Sequence, residues 1–457
     1  MTKTGRGGST RHGNPAAFTV FDTLYAAAGA AAAAITIPYG YIKTRNDAVA
    51  RARFSGRLGK IDITRKIDII EGSAEPRIQF HGVSVGEVKL IAPLLREIGR
   101  ENIKIEPVIT STTPAGLAEA QRLFMNSQFA AFPVDYPTCP KRFLTKARPS
   151  GIVLMEWEAW PLFLRSAASL QIPVAIVNGR ISQKTENRYR YVLEFARRRL
   201  GAISLFAMQN EEYAQRLERL GVPKDKITIT GNMKFDAAID PAAPRDCELA
   251  RLLQLDGRAP VVAGGSTHAP EEEILARAIV NLRKREGMQQ LRLMIVPRHL
   301  DRVAEIVSKV ASIAGGCERL TALRAESRVI TNPAVPVVID TIGDLEKIYR
   351  FANVAFVGGS LQNDRGGQNM LEPAALGAPV VHGTSVPNFA EAAEILRIAG
   401  GAIAVRDAAE LETAIARVLG DAAFAKLMIE NAKKSLEPHR GASKRTVLAL
   451  RNAGVLV

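Results

Sequence analysis

Short runs rich in Val and Ile alternate along the chain with stretches that have the apolar spacing of a helix. This rhythm constrains the fold more than any other feature of the sequence. Arg77–His81 is followed by Val88–Ile98, and Leu205–Gln209 is followed by Glu211–Leu220. Apolar strands joined by helices predict parallel sheets that are covered on both faces. The other predicted strands are Ile105–Thr110, Gly151–Met155, Pro173–Asn178, Pro260–Ala263, Leu291–Val296, Val337–Asp340, Val354–Val357 and Pro379–Val381.

These strands fall into two groups, and residues 237–258 between them are rich in Pro, Ala and charge. A chain of 457 residues can form two domains, each with its own core. We therefore predict an α/β fold of two doubly wound, Rossmann-like domains that face each other across a cleft. The N-terminal domain is 46–236, the linker 237–258 and the C-terminal domain 259–457. Whether the last helix packs back on the N-terminal domain is left open.

The N-terminus divides into a polar tail, 1–17, and an apolar segment, 18–45. Thr23–Ile42 contains no charged residue and has about the length that crosses a bilayer. Lys43 and Arg45 follow at once, as is typical of a cytoplasmic flank. A secretory signal and a buried alanine helix are the two alternatives. The pattern favours a membrane-anchor helix, with the rest of the chain in the cytoplasm.

The chain is strongly basic, with a formal net charge of +15. Such a balance favours anionic partners such as nucleic acid, acidic lipids or phosphorylated substrates. No zinc-finger spacing or aromatic–basic RNA motif occurs, so we expect no nucleic-acid partner. The three cysteines are odd in number and far apart. They indicate reduced thiols and no disulfide or metal framework.

Ligands of parallel α/β sheets bind where the strands end. After Arg77–His81 comes a turn with Ser84 and Glu87, and Glu87 falls in the first turn of the next helix. There an ionised carboxylate can act as a general base, or it can simply stabilise the helix. The sequence leaves both interpretations open.

Further polar side chains follow other strands of the first domain. Glu156 and Glu158 come directly after Gly151–Met155 and alternate with two tryptophans, which suits sugar binding or a helix start over a core tryptophan. Arg180 and Lys234 offer cations for a phosphate or a carboxylate.

The second domain has several glycine-rich turns after predicted strands. They lie at Gly264–His268, Gly358–Ser360 and Gly366–Pro373, and their backbone N–H groups suit a phosphate. Arg298 follows Leu291–Val296, where it can make a bidentate phosphate contact. Three consecutive glutamates, 271–273, would repel a phosphate, so we expect them on the solvent side. No P-loop, Gly-x-Ser-x-Gly or metal-ligand spacing occurs, which disfavours an ATPase or a serine hydrolase.

Taken together, these segments resemble the transferases of 3-deoxy-D-manno-oct-2-ulosonic acid (Kdo) in lipopolysaccharide synthesis. The similarity runs in family order over nearly the whole chain. Besides the apolar N-terminal segment, the matching stretches are His81–Glu87, Thr110–Gly116, Glu156–Pro161, Asn178–Ser182, Gly231–Asp236, Gly264–His268, Pro297–His299, Asp340–Leu345, Val354–Ser360, Gly366–Pro373 and Asn388–Phe389.

The resemblance implies a GT-B glycosyltransferase on the cytoplasmic face of the inner membrane. Such an enzyme moves Kdo from CMP-Kdo to a hydroxyl of a phosphorylated lipid A precursor, with inversion and without a metal or other cofactor. Glu87 matches the family's general base. The residues that match the donor side are Ser266, Thr267, Arg298, Gly359, Ser360, Asn369 and Glu372, and the candidates for the acceptor or sugar are Ser84, Glu156, Glu158, Arg180 and Lys234.

The chain departs from the family pattern at three positions. Gln368 stands where histidine is usual, Asn353 where aspartate is usual and Asp344 where glutamate is common. A different GT-B transferase, using another nucleotide sugar on a lipid, is the nearest alternative. A non-catalytic protein that binds the lipid A precursor is the alternative from another class.

Overall fold

The computed structural model describes residues 20–60, 75–125, 127–236, 244–362 and 365–456. The predicted polar tail and residues 237–243 of the predicted linker lie outside these ranges. The chain forms two compact units. Unit 1 is Met1–Ala238 with His439–Val457, and unit 2 is Ile239–Pro438.

The sheet of unit 1 has seven strands, all parallel, in the order β3-β2-β1-β4-β5-β6-β7. The strands are β1 (Arg77–His81), β2 (Glu106–Ser111), β3 (Gln128–Ala131), β4 (Gly151–Met155), β5 (Val174–Gly179), β6 (Leu205–Met208) and β7 (Ile227–Ile229). The helices are α1 (Val20–Lys43), α2 (Ala48–Arg57), α3 (Val85–Arg100), α4 (Pro114–Leu123), α5 (Cys139–Ala147), α6 (Pro161–Ser169), α7 (Gln183–Arg190), α8 (Leu193–Gly201) and α9 (Glu211–Arg219).

Successive residues of the central strands alternate between two cores. In β4, Val153 and Met155 belong to one hydrophobic cluster, while Ile152 and Leu154 belong to the other. Side chains of a strand point alternately to its two faces, so this pattern means that the sheet is covered on both sides. The prediction of a doubly covered parallel sheet is confirmed for this unit.

Unit 2 repeats this architecture with a second parallel sheet in the order β10-β11-β9-β8-β12-β13-β14. The strands are β8 (Val261–Thr267), β9 (Arg292–Pro297), β10 (Glu318–Arg319), β11 (Val337–Val338), β12 (Val354–Val357), β13 (Val380–Gly383) and β14 (Ala402–Val405). The helices are α10 (Cys247–Leu252), α11 (Glu271–Leu282), α12 (Val303–Ala314), α13 (Leu320–Ala325), α14 (Leu345–Tyr349), α15 (Leu371–Leu376), α16 (Ala390–Ala399), α17 (Ala408–Gly420) and α18 (Ala422–Leu436).

The last helix, α19 (Ala442–Asn452), belongs to unit 1. The Asp236 carboxylate accepts hydrogen bonds from the N–H groups of Gly441 and Ser443, at 2.6 and 2.5 Å. Val447 and Leu450 are buried in the same cluster as β1 and α3. Helix α19 therefore packs in the core of unit 1.

Helix α1 does not match the predicted membrane anchor. It covers the predicted segment, but no helix in the described part of the chain is long and apolar enough to cross a membrane. Alanine is only weakly apolar, and one face of the helix packs on the rest of unit 1. Phe21 lies 6.0 Å from the ring of Phe195, and the Thr36 hydroxyl is 2.9 Å from that of Tyr136.

Candidate active-site residues

The predicted polar residues of unit 1 come together where its strands end. The Glu156 carboxylate lies 2.7 Å from the Arg180 guanidinium and 3.5 Å from the Lys234 ammonium. Glu87 and Glu158 are close enough for the charge of Glu156 to raise the pKa of each. Three carboxylates and two cations, from turns after β1, β4, β5 and β7, therefore form one cluster.

Glu87 is held in a fixed orientation by the turn that precedes it. Ser84 is the N-cap of α3, and its hydroxyl accepts from the Glu87 N–H and donates to Glu87 Oε1 at 2.9 Å. Glu87 Oε2 accepts from the Val83 N–H at 2.8 Å. Burial raises the pKa of Glu87, while these hydrogen bonds oppose the shift. The side chain is partly exposed, so it stabilises the helix and also remains accessible to a ligand.

The Glu87 turn is itself fixed by the neighbouring strand. The Val83 carbonyl accepts from the hydroxyls of Ser111 and Thr113, at 3.1 and 2.7 Å. A Cβ on Gly82 would lie 2.9 Å from the Val88 nitrogen, so this position requires glycine. We did not predict the positioning roles of Ser111 and Thr113. The resemblance over Thr110–Gly116 was the one signal that pointed to them.

His81, which begins the same motif, lies beneath the turn. It has no exposed surface, stacks on Phe132 at 3.7 Å between ring centroids and contacts the Thr110 carbonyl through Nδ1 at 3.0 Å. Burial lowers the pKa of His81 to about 3, so the ring is neutral at physiological pH. His81 therefore has a packing role in the core.

Glu158 is the most perturbed carboxyl of the cluster. Burial, helped by the charges of Glu87 and Glu156 and opposed by the hydrogen bond from Trp160, raises its pKa to about 7. That bond runs from the indole N–H to Oε2 at 2.6 Å. Glu158 is therefore partly protonated near neutral pH.

This perturbation predicts a pH-dependent stability of unit 1. Since the folded-state pKa of Glu158 lies above the ordinary 4.5, the favourable contribution of the protonated form is present below pH 4.5 and lost as pH rises through about 7. Replacing Glu158 with Gln should therefore stabilise unit 1 by about 2 kcal/mol at pH 8 and leave it unchanged at pH 4.5.

Urea unfolding followed by tryptophan fluorescence measures this effect, because both tryptophans of the chain lie in unit 1, beside Glu158. The exposed Glu211→Gln is the control and should change little at either pH. Equal destabilisation by Glu158→Gln at both pH values would contradict the assignment.

In unit 2 the predicted turns also meet where strands end. A Cβ on Gly358 would lie 2.7 Å from the Ser266 carbonyl oxygen, and one on Gly359 would lie 3.4 Å from Gln368. The Gly367 N–H donates to the Gly359 carbonyl at 2.7 Å. The end of β8, the turn after β12 and the glycine-rich loop that follows therefore pack side by side.

Arg298 and Thr267 lie at the same edge of the sheet. The Arg298 N–H donates to the Thr267 carbonyl at 3.0 Å, while the Arg298 side chain is exposed. His268 and His299 are in edge-to-face contact at 5.4 Å. An exposed guanidinium next to polar turns is a suitable environment for a phosphate.

Two further predicted donor residues contact each other. The Asn369 amide donates to Glu372 Oε1 at 3.0 Å, and its carbonyl oxygen accepts from the Leu371 N–H. Glu372 is therefore oriented by Asn369 in the first turn of α15.

The expectation that Glu271–Glu273 face solvent is wrong for the first two residues. Glu271 is 1% exposed and Glu272 2% exposed. The Glu271 carboxylate accepts four backbone N–H groups at 2.7–3.1 Å. The donors are His268, Gly359, Ser360 and Leu361.

This contact changes the roles predicted for Gly359 and Ser360. Their N–H groups already bind the Glu271 carboxylate, and the Ser360 hydroxyl donates to the Val357 carbonyl and accepts from the Gly383 N–H. An internal carboxylate thus fills the anion-binding turn that we predicted for the donor phosphate. Ser266, Arg298, Asn369 and Glu372 are the predicted donor residues whose side chains remain partly or fully exposed.

Two of the three departures from the family pattern have local structural roles. Asn353 Oδ1 accepts from the Val261 N–H at 2.9 Å. Asp344 pairs with Arg324 at 2.7 Å and with Lys347 at 3.1 Å. The third departure, Gln368, lies in the glycine-rich loop, where it packs next to Gly359. No group of His, Cys, Asp or Glu side chains that could hold a metal occurs among the described residues.

The four hydrogen bonds to Glu271 predict a large effect of a conservative change. A glutamine at this position would lack one oxygen acceptor and place an amide donor against backbone donors, so Glu271→Gln should lower the stability of unit 2 by about 2–4 kcal/mol. The matched control is Glu273→Gln. The Glu273 carboxylate makes a partly exposed ion pair with Lys309, so this change should lower the stability of unit 2 by less than about 1 kcal/mol. Differential scanning calorimetry measures both variants. Equal melting temperatures for the two variants would show that the buried hydrogen bonds of Glu271 contribute no more to stability than the exposed ion pair of Glu273.

Comparison with known proteins places these residues in a family. Residues 52–237 match the model of the 3-deoxy-D-manno-octulosonic-acid transferase (kdotransferase) family. The transferase of that name from Haemophilus influenzae is 31% identical over 374 residues, which cover 80% of this chain and 85% of the relative. The one from Bordetella pertussis is also 31% identical and covers 82% and 86%. The chain belongs to the Kdo transferase family. The predicted resemblance is confirmed.

Solved structures with lower identity support the fold. The UDP-GlcNAc 2-epimerase of Neisseria meningitidis is 16% identical with a TM-score of 0.54, covering 82% of this chain and all of that chain. A glycosyltransferase from Rickettsia africae is 12% identical with a TM-score of 0.53, covering 83% and 97%. These likenesses show two parallel α/β domains of the GT-B kind.

Proposed function

We propose that this Kdo transferase moves Kdo from CMP-Kdo to a hydroxyl of a phosphorylated lipid A precursor, with inversion. The observation that carries the proposal is the cluster around Glu87, where a carboxylate is fixed by the Val83 N–H and the Ser84 hydroxyl beside two cations. The two relatives compared above are both 3-deoxy-D-manno-octulosonic acid transferases, and this chain matches most of the length of each.

In the proposed reaction, an acceptor hydroxyl oxygen attacks the anomeric carbon of Kdo. The bond from that carbon to the CMP phosphate oxygen breaks, and CMP leaves with the electron pair. Glu87 takes the proton of the attacking hydroxyl as general base. Its raised pKa brings it nearer to neutral pH, where a base is more effective. A single displacement with one base inverts the anomeric centre.

The leaving CMP needs stabilisation of its phosphate charge, and Arg298 is the cation that we assign to this role. Its side chain is exposed at the end of β9, where a cation would stabilise the negative charge that develops on the leaving phosphate. Glu372, oriented by Asn369, is assigned to the ribose hydroxyls. Ser266 keeps exposed surface and completes the donor side, whereas the predicted contact of the Thr267 side chain is not proposed because that side chain is buried.

Arg180 and Lys234 suit the acceptor phosphates, because both cations lie beside Glu156 and keep exposed surface. A phosphate that binds there would share the two cations with Glu156. The basic chain also suits a location at an anionic membrane, and we propose the cytoplasmic face of the inner membrane.

Mass spectrometry of a transfer reaction tests this function. The full-length protein is incubated with CMP-Kdo and a tetraacylated lipid A precursor in detergent, and UDP-sugars replace CMP-Kdo in parallel reactions. We expect one or more added Kdo masses with CMP-Kdo and none with UDP-sugars. Transfer from a UDP-sugar, or acceptor binding without any added mass, would contradict the proposal.

A further inference from the structure

Asn178 lies in an irregular part of β5, next to the end of the strand. The last regular pair with β6 is Ile176 with Phe206. The next pair is Gly179 with Met208, so β5 advances three residues where β6 advances two. Asn178 has a φ of +52°, in the left-handed region, and its side chain has no exposed surface. An extra residue of this kind is a β-bulge, which redirects the side chains beside it.

The ends of three strands are joined through Asn178. Its Oδ1 accepts from the Met233 N–H at 2.8 Å, and its backbone carbonyl accepts from the Gln209 side-chain amide at 2.8 Å. Gln209 directly follows β6, and Met233 begins the turn Met233–Asp236 after β7. One buried residue therefore sets the position of the turn after β7 relative to the end of β5.

The two segments joined in this way each carry a cation of the candidate site. Arg180 lies two positions after Asn178, and Lys234 directly follows Met233. Both cations contact the Glu156 carboxylate, at 2.7 and 3.5 Å. The hydrogen bond between the Met233 N–H and Asn178 Oδ1 therefore lies between the backbone positions of the two cations.

Glu156 has a similar backbone conformation on the neighbouring strand. Its φ is +56°, and its N–H donates to the Val177 carbonyl, next to Asn178, at 2.9 Å. A glutamate in the left-handed region is unfavourable, and such a conformation persists where the surrounding structure holds it. Because β4 and β5 are paired, these two left-handed residues follow neighbouring strand positions. The carboxylate is thus held from the same strand end as the two cations.

We propose that Asn178 is a positioning residue for the acceptor. Its buried side chain sets the distance between the Arg180 and Lys234 cations, and this distance determines how well they bind a phosphate of the acceptor. Asn178 has no exposed surface, so it acts through the two cations and does not contact the ligand. The inference rests on the proposed function in one respect, that Arg180 and Lys234 bind an acceptor phosphate.

Binding of the acceptor to Asn178→Gly tests this role. Glycine adopts the left-handed region freely, so the variant keeps the backbone conformation and loses the side-chain hydrogen bond. A tetraacylated lipid A precursor in detergent is titrated without CMP-Kdo and followed by the fluorescence of Trp157 and Trp160, which flank Glu158. We expect the acceptor Kd to rise at least about tenfold, because a displaced cation no longer matches the phosphate. The KM for CMP-Kdo should change less than about threefold, since the donor residues belong to unit 2.

Asn353→Gly is the matched control. Asn353 Oδ1 also accepts one backbone N–H, from Val261 at 2.9 Å, but it lies in unit 2. This variant loses the same kind of hydrogen bond and should bind the acceptor as the wild type does.

A double-mutant cycle separates positioning from a general loss of structure. In the Lys234→Ala background, Asn178→Gly should change the acceptor Kd by less than about threefold, because no second cation is left whose distance from Arg180 it can set. Thermal melting shows that each variant is folded at the assay temperature. Should Asn178→Gly not fold, Gln209→Met takes its place with the same expectations, since it removes the hydrogen bond to the Asn178 carbonyl.

Two results would overturn the inference. They are unchanged acceptor binding by the folded Asn178→Gly protein, and an equal rise of the acceptor Kd in the wild-type and Lys234→Ala backgrounds. Kdo transfer is measured by mass spectrometry in parallel. Wild-type protein that binds the acceptor and adds no Kdo mass would refute the proposed function, while the binding data would still decide the role of Asn178.

Discussion

The parallel direction of every described strand pair is the constraint on which the candidate site depends. Parallel strands all end at one edge, so the turns that follow them are brought together whatever their distance along the chain. In unit 1 this places Glu87, after β1, near Glu156 and Glu158, after β4. In unit 2 it places the end of β8, at Ser266, against the turn at Gly358. In both units the residues brought together are far apart in the sequence, and the pairing of their strands in one sheet makes them neighbours in space.

Two carboxylates, one in each unit, show how hydrogen bonding and burial together separate two roles. Glu87 accepts one backbone N–H and one hydroxyl and stays partly exposed. Glu271 accepts four backbone N–H groups and is 1% exposed. The first can exchange a proton with a ligand. The second has the hydrogen-bonding pattern of a bound anion, and it gives the glycine-rich turn after β12 a structural role.

The strands rich in Val and Ile could be predicted from the sequence. Gly151–Met155 and Val354–Val357 have the predicted bounds, because short apolar runs between turns admit few other environments. Arg77–His81 also has the predicted bounds, although its apolar side chains, Ile78 and Phe80, alternate with polar ones. We missed β3, β7, β10 and β14, which are short and whose residues are largely only partly buried or exposed, so no apolar run marks them.

The candidate site could be predicted only where local pattern decides the environment. Glu87 follows from the position of Ser84 and the helix start. The role of Glu271 depends on residues about ninety positions away, and three consecutive glutamates at a helix start resemble an ordinary solvent-facing turn. Likewise, the uncharged length of α1 indicated a membrane span, whereas its contacts with Phe195 and Tyr136 are tertiary and leave no trace in hydropathy.

The assignment of Glu87 as the base is the central claim, and single-turnover kinetics of Glu87→Gln tests it most directly. The rate of Kdo transfer is measured with saturating CMP-Kdo and acceptor, beside Glu158→Gln and the exposed control Glu211→Gln. The account predicts a loss of at least about a hundredfold for Glu87→Gln, with CMP-Kdo affinity retained. A near-normal rate for Glu87→Gln together with a comparable loss for Glu158→Gln would contradict it and make Glu158 the base.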